Sequence, residues 1–137
     1  MSDSTHTART RALVAEFFRE MATTGGDPAA YFAGTVHWDI PGATGIVPWI
    51  GPRTGKAQVA EFFARFGDYL ERDRFEVRRI IADGPHAVVI GELRSRVRAT
   101  GRIIESPFAV DITVQDGLIT RYVMFEDSWR VAEATRP

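Results

Sequence analysis

The stretch HAVVIGELRSRVRATGRIIESPFAVDITVQDGLITRYVMFED, residues 86–127, decides the fold. It divides into three segments rich in β-branched and aromatic residues, 86–97, 102–115 and 118–127, separated by Ala99-Thr100-Gly101 and Asp116-Gly117. A fourth segment, 73–82, precedes them behind Asp83-Gly84-Pro85. Such connections supply the positive φ angles that tight hairpins need, so four consecutive segments read as an antiparallel meander.

Working outward toward the N-terminus, Leu13, Val14, Phe17, Phe18 and Met21 recur at helical spacing opposite Arg11, Glu16, Arg19 and Glu20, which predicts a first helix over 7–24. Gly25-Gly26 stops it. Asp27-Pro28 then reads as a cap and first residue of a short second helix through Phe32. Val36, Trp38 and Ile40 alternate with Thr35, His37 and Asp39, the period of a strand with one buried face. The segment 41–55 is rich in proline and glycine, yet carries Ile46, Val47, Trp49 and Ile50, and reads as a loop folded over apolar surface. A third helix is expected over 56–70, with Val59, Phe62, Phe63 and Phe66 on one face. Helices first and hairpins after imply an α+β domain spanning 1–137: a cone-shaped, curved, mainly antiparallel sheet with three N-terminal helices enclosing a pocket.

Composition bounds the chemistry. The chain has 137 residues, 45% hydrophobic and 26% charged, enough for one core. A formal net charge of −1 gathers neither phosphates nor anionic lipid, so nucleic acid and membrane are not expected partners. Cysteine is absent, which removes disulfides and thiolate chemistry. The first ten residues are polar, and no apolar run is long enough for a membrane helix, so a cytoplasmic location is expected. His6, His37 and His86 are scattered, which predicts no metal site, and no glycine-rich loop joins a strand to a helix in a phosphate-binding pattern, so no cofactor is expected.

The run Trp38-Asp39-Ile40-Pro41-Gly42, then Pro48-Trp49-Ile50-Gly51 and Gly55-Lys56 leading into Phe62-Phe63, resembles the SnoaL-like branch of the nuclear transport factor 2-like superfamily. So does the tail formed by Thr100-Gly101-Arg102, Asp116-Gly117-Leu118-Ile119 and Tyr122 to Asp127. The resemblance implies that the sheet's concave face lines the pocket. It also implies chemistry drawn from ketosteroid isomerases, polyketide cyclases, epoxide hydrolases or non-catalytic relatives. The place resembling the isomerase base holds Ile40, that of its protonated aspartate holds Val110, and that of its oxyanion tyrosine holds Phe18 or Arg19. Met124 stands where epoxide hydrolases carry an aspartate, while Glu92 and Arg94 resemble their remaining arginine and aspartate with the charges exchanged.

Strand parity supplies the site candidates. Glu92, with Arg94 two residues on, is read as an inward acid or base; in the opposite register Val89, Gly91, Leu93 and Val97 face inward, and Glu92, Arg94, Arg96 and Arg98 form a solvated face. Tyr122 is a candidate phenolic donor, Glu126 a carboxylate at the pocket mouth, and Asp39 a reserve acid that a bulge beside Pro41 would have to turn inward. Phe18, Trp38, Ile40, Trp49, Phe62, Phe66, Phe108, Val110 and Met124 are the expected apolar lining. These residues predict a cofactor-independent isomerase or cyclase acting by acid–base catalysis on a small hydrophobic carbonyl compound of polyketide or terpenoid kind. An epoxide hydrolase of the same fold, or a non-catalytic binding or dimerisation module, stand as alternatives. A homodimer through the convex sheet face is expected, where His37, Asp39, Glu105, Asp111 and Thr113 lie beside Val123 and Phe125.

Overall fold

A computed structural model describes residues 3–137; Met1 and Ser2, part of the polar N-terminal stretch, lie outside it. Helix α1 (Asp3–Ala22) starts a turn earlier than its apolar periodicity, because polar residues continue the helix without needing a buried face. Beyond it Gly25 adopts φ 77°, and the Glu20 carboxylate accepts from the backbone N–H of Asp27 at 2.7 Å. The expected second helix is a single 3-10 turn, Pro28–Tyr31, since Phe32 is already extended and begins β1 (Phe32–Asp39). A two-residue strand β2 (Arg53–Thr54) ends the loop and leads into α2 (Lys56–Tyr69).

The remaining strands are β3 (Leu70–Asp83), β4 (His86–Val97), β5 (Ile103–Gln115) and β6 (Leu118–Glu126), followed by a C-terminal helix α3 (Ser128–Thr135) that strand periodicity did not predict. They form one curved sheet in the order β2-β1-β6-β5-β4-β3, antiparallel except where β1 lies parallel to β6. The β5–β6 hairpin turns on Asp116 at φ 52° and Gly117 at φ 77°, the two positive angles of the turn read from Asp-Gly.

The choice of face in β4 is made by Gly91. Its register partners are Val77 and Phe108, and a β-carbon there would stand 2.1 Å from the Glu76 carbonyl oxygen and 2.4 Å from Phe108 Cζ. Val89, Gly91, Leu93, Ser95 and Val97 are therefore buried, and Glu92, Arg94, Arg96 and Arg98 point outward. This corrects the inward reading of Glu92 and Arg94. Glu92 is 40% exposed and accepts from Arg78 at 2.9 Å, while Arg94 pairs with Asp73 at 2.8 Å and with Glu105. Leaving these charges in water avoids a desolvation cost that their mutual attraction would not recover.

Alternation is interrupted in β3 and β6. Register shifts between Arg72 and Arg74, and between Val77 and Arg79, put one extra residue at each place. In consequence Leu70 and Arg72, then Phe75 and Val77, then Ile80 and Ala82 face inward. A further shift beside Val114 lets both Ile119 and Tyr122 point in. Such bulges also bend the strands and help wrap the sheet around α1 and α2.

Replacing Gly91 by alanine forces its methyl group into a backbone oxygen and a packed ring. We expect Gly91→Ala to cost about 1–3 kcal/mol, measured as a lowered urea midpoint at unchanged m; a midpoint equal to that of the unmodified chain would contradict this account of the register.

Candidate active site

Between the two long helices and the concave face lies a cavity of about 230 Å³. Phe62, Phe63 and Phe66 enter it from α2, one helical turn presenting three rings because the residues share a face. Trp38 of β1, Ile40 just beyond the strand, and Trp49 of the loop form a second wall. The parallel pairing sets Trp38 beside Tyr122, and their rings stack at 4.3 Å with planes only 9° apart. Such a pair contributes about 0.5–1.5 kcal/mol beyond its buried area. Met124 and Glu126 follow Tyr122 at strand spacing, Leu93 and Ser95 enter from β4, and Arg72 and Phe75 from β3.

Four polar side chains thus share an apolar chamber. Tyr122 is 2% exposed, and burial drives its phenol pKa above the ordinary value, with nearby Arg72 opposing and Glu126 adding to the rise. Glu126 is half-buried; burial pushes its carboxyl up to about 7, Arg72 pulls it down, and Asp127 adds to the rise. Arg72 is exposed at the cavity mouth, yet its guanidinium carbon lies 4.5 Å from the ring centre of Phe66 and 4.4 Å from that of Phe75. Lost hydration lowers its pKa, which Tyr122 and Glu126 counter. Ser95 is buried and stands in strand register with Arg72. Among the described residues, none of these four side chains has a protein hydrogen bond or ion pair. Trp38 Nε1 is likewise buried without a partner.

The candidates read from sequence fall into three groups. Tyr122, Glu126, Trp38, Ile40, Trp49, Phe62, Phe66 and Met124 line the cavity. Phe18, Phe108 and Val110 are buried but stand behind it: Phe18 and Phe108 stack on Phe75 at 6.0 and 4.5 Å, so Phe75 presents the inner surface in their place. Glu92 and Arg94 lie on the outer face, and Asp39 does not reach the cavity because alternation from Trp38 and Ile40 continues without a turn; its Oδ1 is buried and unpartnered. Arg72 is the residue that sequence reading missed. The strand was expected to begin at Asp73, and two-residue counting from Phe75 selects Asp73 instead, because the bulge is invisible to parity.

A family model of the SnoaL-like domain matches residues 14–122. The chain belongs to the SnoaL-like domain family. Its fold is that of the nuclear transport factor 2-like superfamily: an NTF2-like protein of Burkholderia xenovorans superposes with a TM-score of 0.84 at 27% identity, covering 95% of this chain and 98% of that one. A Kribbella flavida protein provisionally described as a ketosteroid isomerase superposes with a TM-score of 0.64 at 25% identity, over 88% of this chain and 78% of the other. Patulin synthesis protein F of Aspergillus clavatus is 29% identical over 100 residues, 71% of this chain and 50% of its own length. This SnoaL-like chain therefore spans about half of that curated relative. None of its described helices is long and apolar enough to cross a membrane.

The raised carboxyl has a consequence for stability. With a folded pKa of about 7 against an ordinary 4.5, Glu126 holds a proton that the unfolded chain releases between those values. Its contribution to stability is full below 4.5 and is lost as pH rises through about 7. Glu126→Gln removes this titration, so the variant's stability relative to the unmodified chain should grow from pH 4.5 to pH 8. Urea unfolding across that range checks it, and a difference that stays flat would contradict a desolvated Glu126.

Proposed function

We propose that the cavity is the active site of a cofactor-independent isomerase or cyclase that moves a proton on a small, hydrophobic, carbonyl-bearing molecule of polyketide or terpenoid kind. The observation carrying this reading is the meeting of two unpaired groups in one apolar chamber: the Glu126 carboxyl, poised near neutrality, and the Tyr122 phenol, kept protonated by burial. Relatives named as a patulin synthesis protein and as a ketosteroid isomerase are consistent with it.

In this mechanism the ionised Glu126 takes a proton from the carbon next to the substrate carbonyl. The electron pair moves onto the carbonyl oxygen, where the Tyr122 hydroxyl donates a hydrogen bond to the developing enolate. Glu126, now protonated, returns the proton to another carbon, which completes an isomerisation; in a cyclisation the enolate carbon instead attacks a second carbonyl and the proton goes to the resulting alkoxide. A carboxyl with a pKa near 7 suits both halves, since it gives and takes the proton at similar cost. The walls of Trp38, Phe62 and Met124 keep bulk water from quenching the enolate.

The reading also retains a homodimer through the convex face. Ile90, Ala109 and Phe125 lie side by side across β4, β5 and β6 on that face, and Phe125 is 51% exposed. Phe125→Asp is expected to shift sedimentation from dimer to monomer; an unmodified chain that sediments as a monomer at all concentrations contradicts the pairing.

Exchange of the α-hydrogen of candidate ketones in deuterated water tests the chemistry without knowledge of the natural substrate. Glu126→Gln should slow exchange by roughly 10²–10⁴-fold and Tyr122→Phe by a smaller factor, both with native near-ultraviolet circular dichroism. Because the base is the ionised carboxyl, kcat/KM should rise about tenfold per pH unit below about 7 and level above it. Exchange that is unaltered in both variants overturns the assignment.

A further inference from the structure

On the outer face Arg78 pairs with Glu92, Arg94 with Asp73 and Arg121 with Asp111, while Arg74 and Arg79 stand exposed in water without an ion pair. Arg72, the cationic side chain among the described cavity-lining residues, is not paired either. Glu126, in the same cavity, lies beyond ion-pair distance, since β5 and β4 separate β6 from β3 in the sheet and the two groups face each other across its curve. Two aromatic rings hold the guanidinium in place, and Ser95, the register partner of Arg72 on β4, lines the same cavity. Five N–H donors and a hydroxyl are thus left without a protein acceptor at one end of a greasy chamber. A guanidinium fixed in plane is complementary to a planar anion with two oxygens.

We propose that the ligand of this cavity carries a carboxylate, anchored by Arg72 and Ser95 at the β3 side, with its apolar body against Trp38 and the α2 phenylalanines. The inference rests on the cavity being the ligand site of the proposed function, but not on any proton transfer there. It orients the substrate: the carboxylate lies toward the mouth, where the long arginine meets solvent, and the reacting carbonyl lies toward Tyr122 and Glu126. Arg72 is then a positioning and specificity residue, which selects acids over neutral molecules of the same shape.

Binding of benzoate and of acetophenone, an anion and its neutral isostere, measured by ligand-observed magnetic resonance, tests this without turnover. At pH 6 benzoate should bind about tenfold or more tightly than acetophenone, the range of a charge-assisted contact. Arg72→Met should abolish the preference while leaving acetophenone binding intact, which also reports an intact cavity; Arg72→Gln gives a second reading should the first variant fold poorly. The groups facing Glu126 are Arg72 from β3, Asp127 at the strand end and Tyr122 on its own strand, so ionisation of Glu126 adds a negative charge that the ligand must meet. Benzoate should accordingly weaken between pH 6 and pH 8 in the unmodified chain and hold steady in Glu126→Gln. Equal affinity for the two probes, or a benzoate preference that survives loss of Arg72, overturns the proposal. An Arg72-dependent preference without α-hydrogen exchange would leave this inference standing and remove the catalytic reading, whereas exchange without the preference would do the reverse.

Discussion

The ring of Phe108 occupies the space where residue 91 would carry a side chain, and the orientation of the sheet follows from that contact. Phe108 stacks on Phe75 at 4.5 Å, and Phe75 stacks in turn on Phe18 of α1. One close approach between β4 and β5 thereby ties β3 and the first helix to the same inner face. Because side chains in a strand alternate, placing Gly91 inward commits its neighbours two residues away and sends Glu92 and Arg94 out.

Most of the architecture was legible because turn chemistry and periodicity are local. The β5–β6 hairpin followed from Asp116-Gly117, and β4 coincides with the stretch bounded by Pro85 and Arg98. What escaped depends on tertiary context. In β4 both parities carry residues acceptable inside, Val89 and Leu93 on one and Glu92 on the other, and only the contact of Gly91 with Phe108 separates them. Strand β2 has two residues and no pattern to detect. Helix α3 has Asp127 as a cap that accepts from the Arg130 N–H, but its eight residues bury a face only because the sheet end is there to receive Val131 and Ala134.

The site divides along the same line. Tyr122 and Glu126 were found because β6 is regular beyond Thr120, so two-residue counting puts them on one side with Met124. Arg72 was lost to a bulge, and arginine at a strand start reads as solvated unless the register is known. Charge is accordingly sorted by face. Outside, exposed ion pairs such as Arg121 with Asp111 add little stability but mark the wet surface, whereas inside a cation and an acid stand apart in a medium where each alters the other's proton affinity.

Glu126 sits at a strand end, where a carboxylate ordinarily projects into water. Here the chain does not leave the surface: Asp127 donates its N–H to Ser106 Oγ at 2.8 Å and accepts the Arg130 N–H at 3.1 Å, so the next residue is held by β5 on one side and by α3 on the other. Arg130 reaches back to the Glu105 carbonyl oxygen at 3.0 Å, closing the corner. With its backbone fixed by these bonds, Glu126 keeps the inward parity of Tyr122 and Met124 and loses hydration it would otherwise have. Helix α3, absent from any periodic pattern in the strands, therefore helps to fix the strand end from which the half-buried Glu126 enters the cavity.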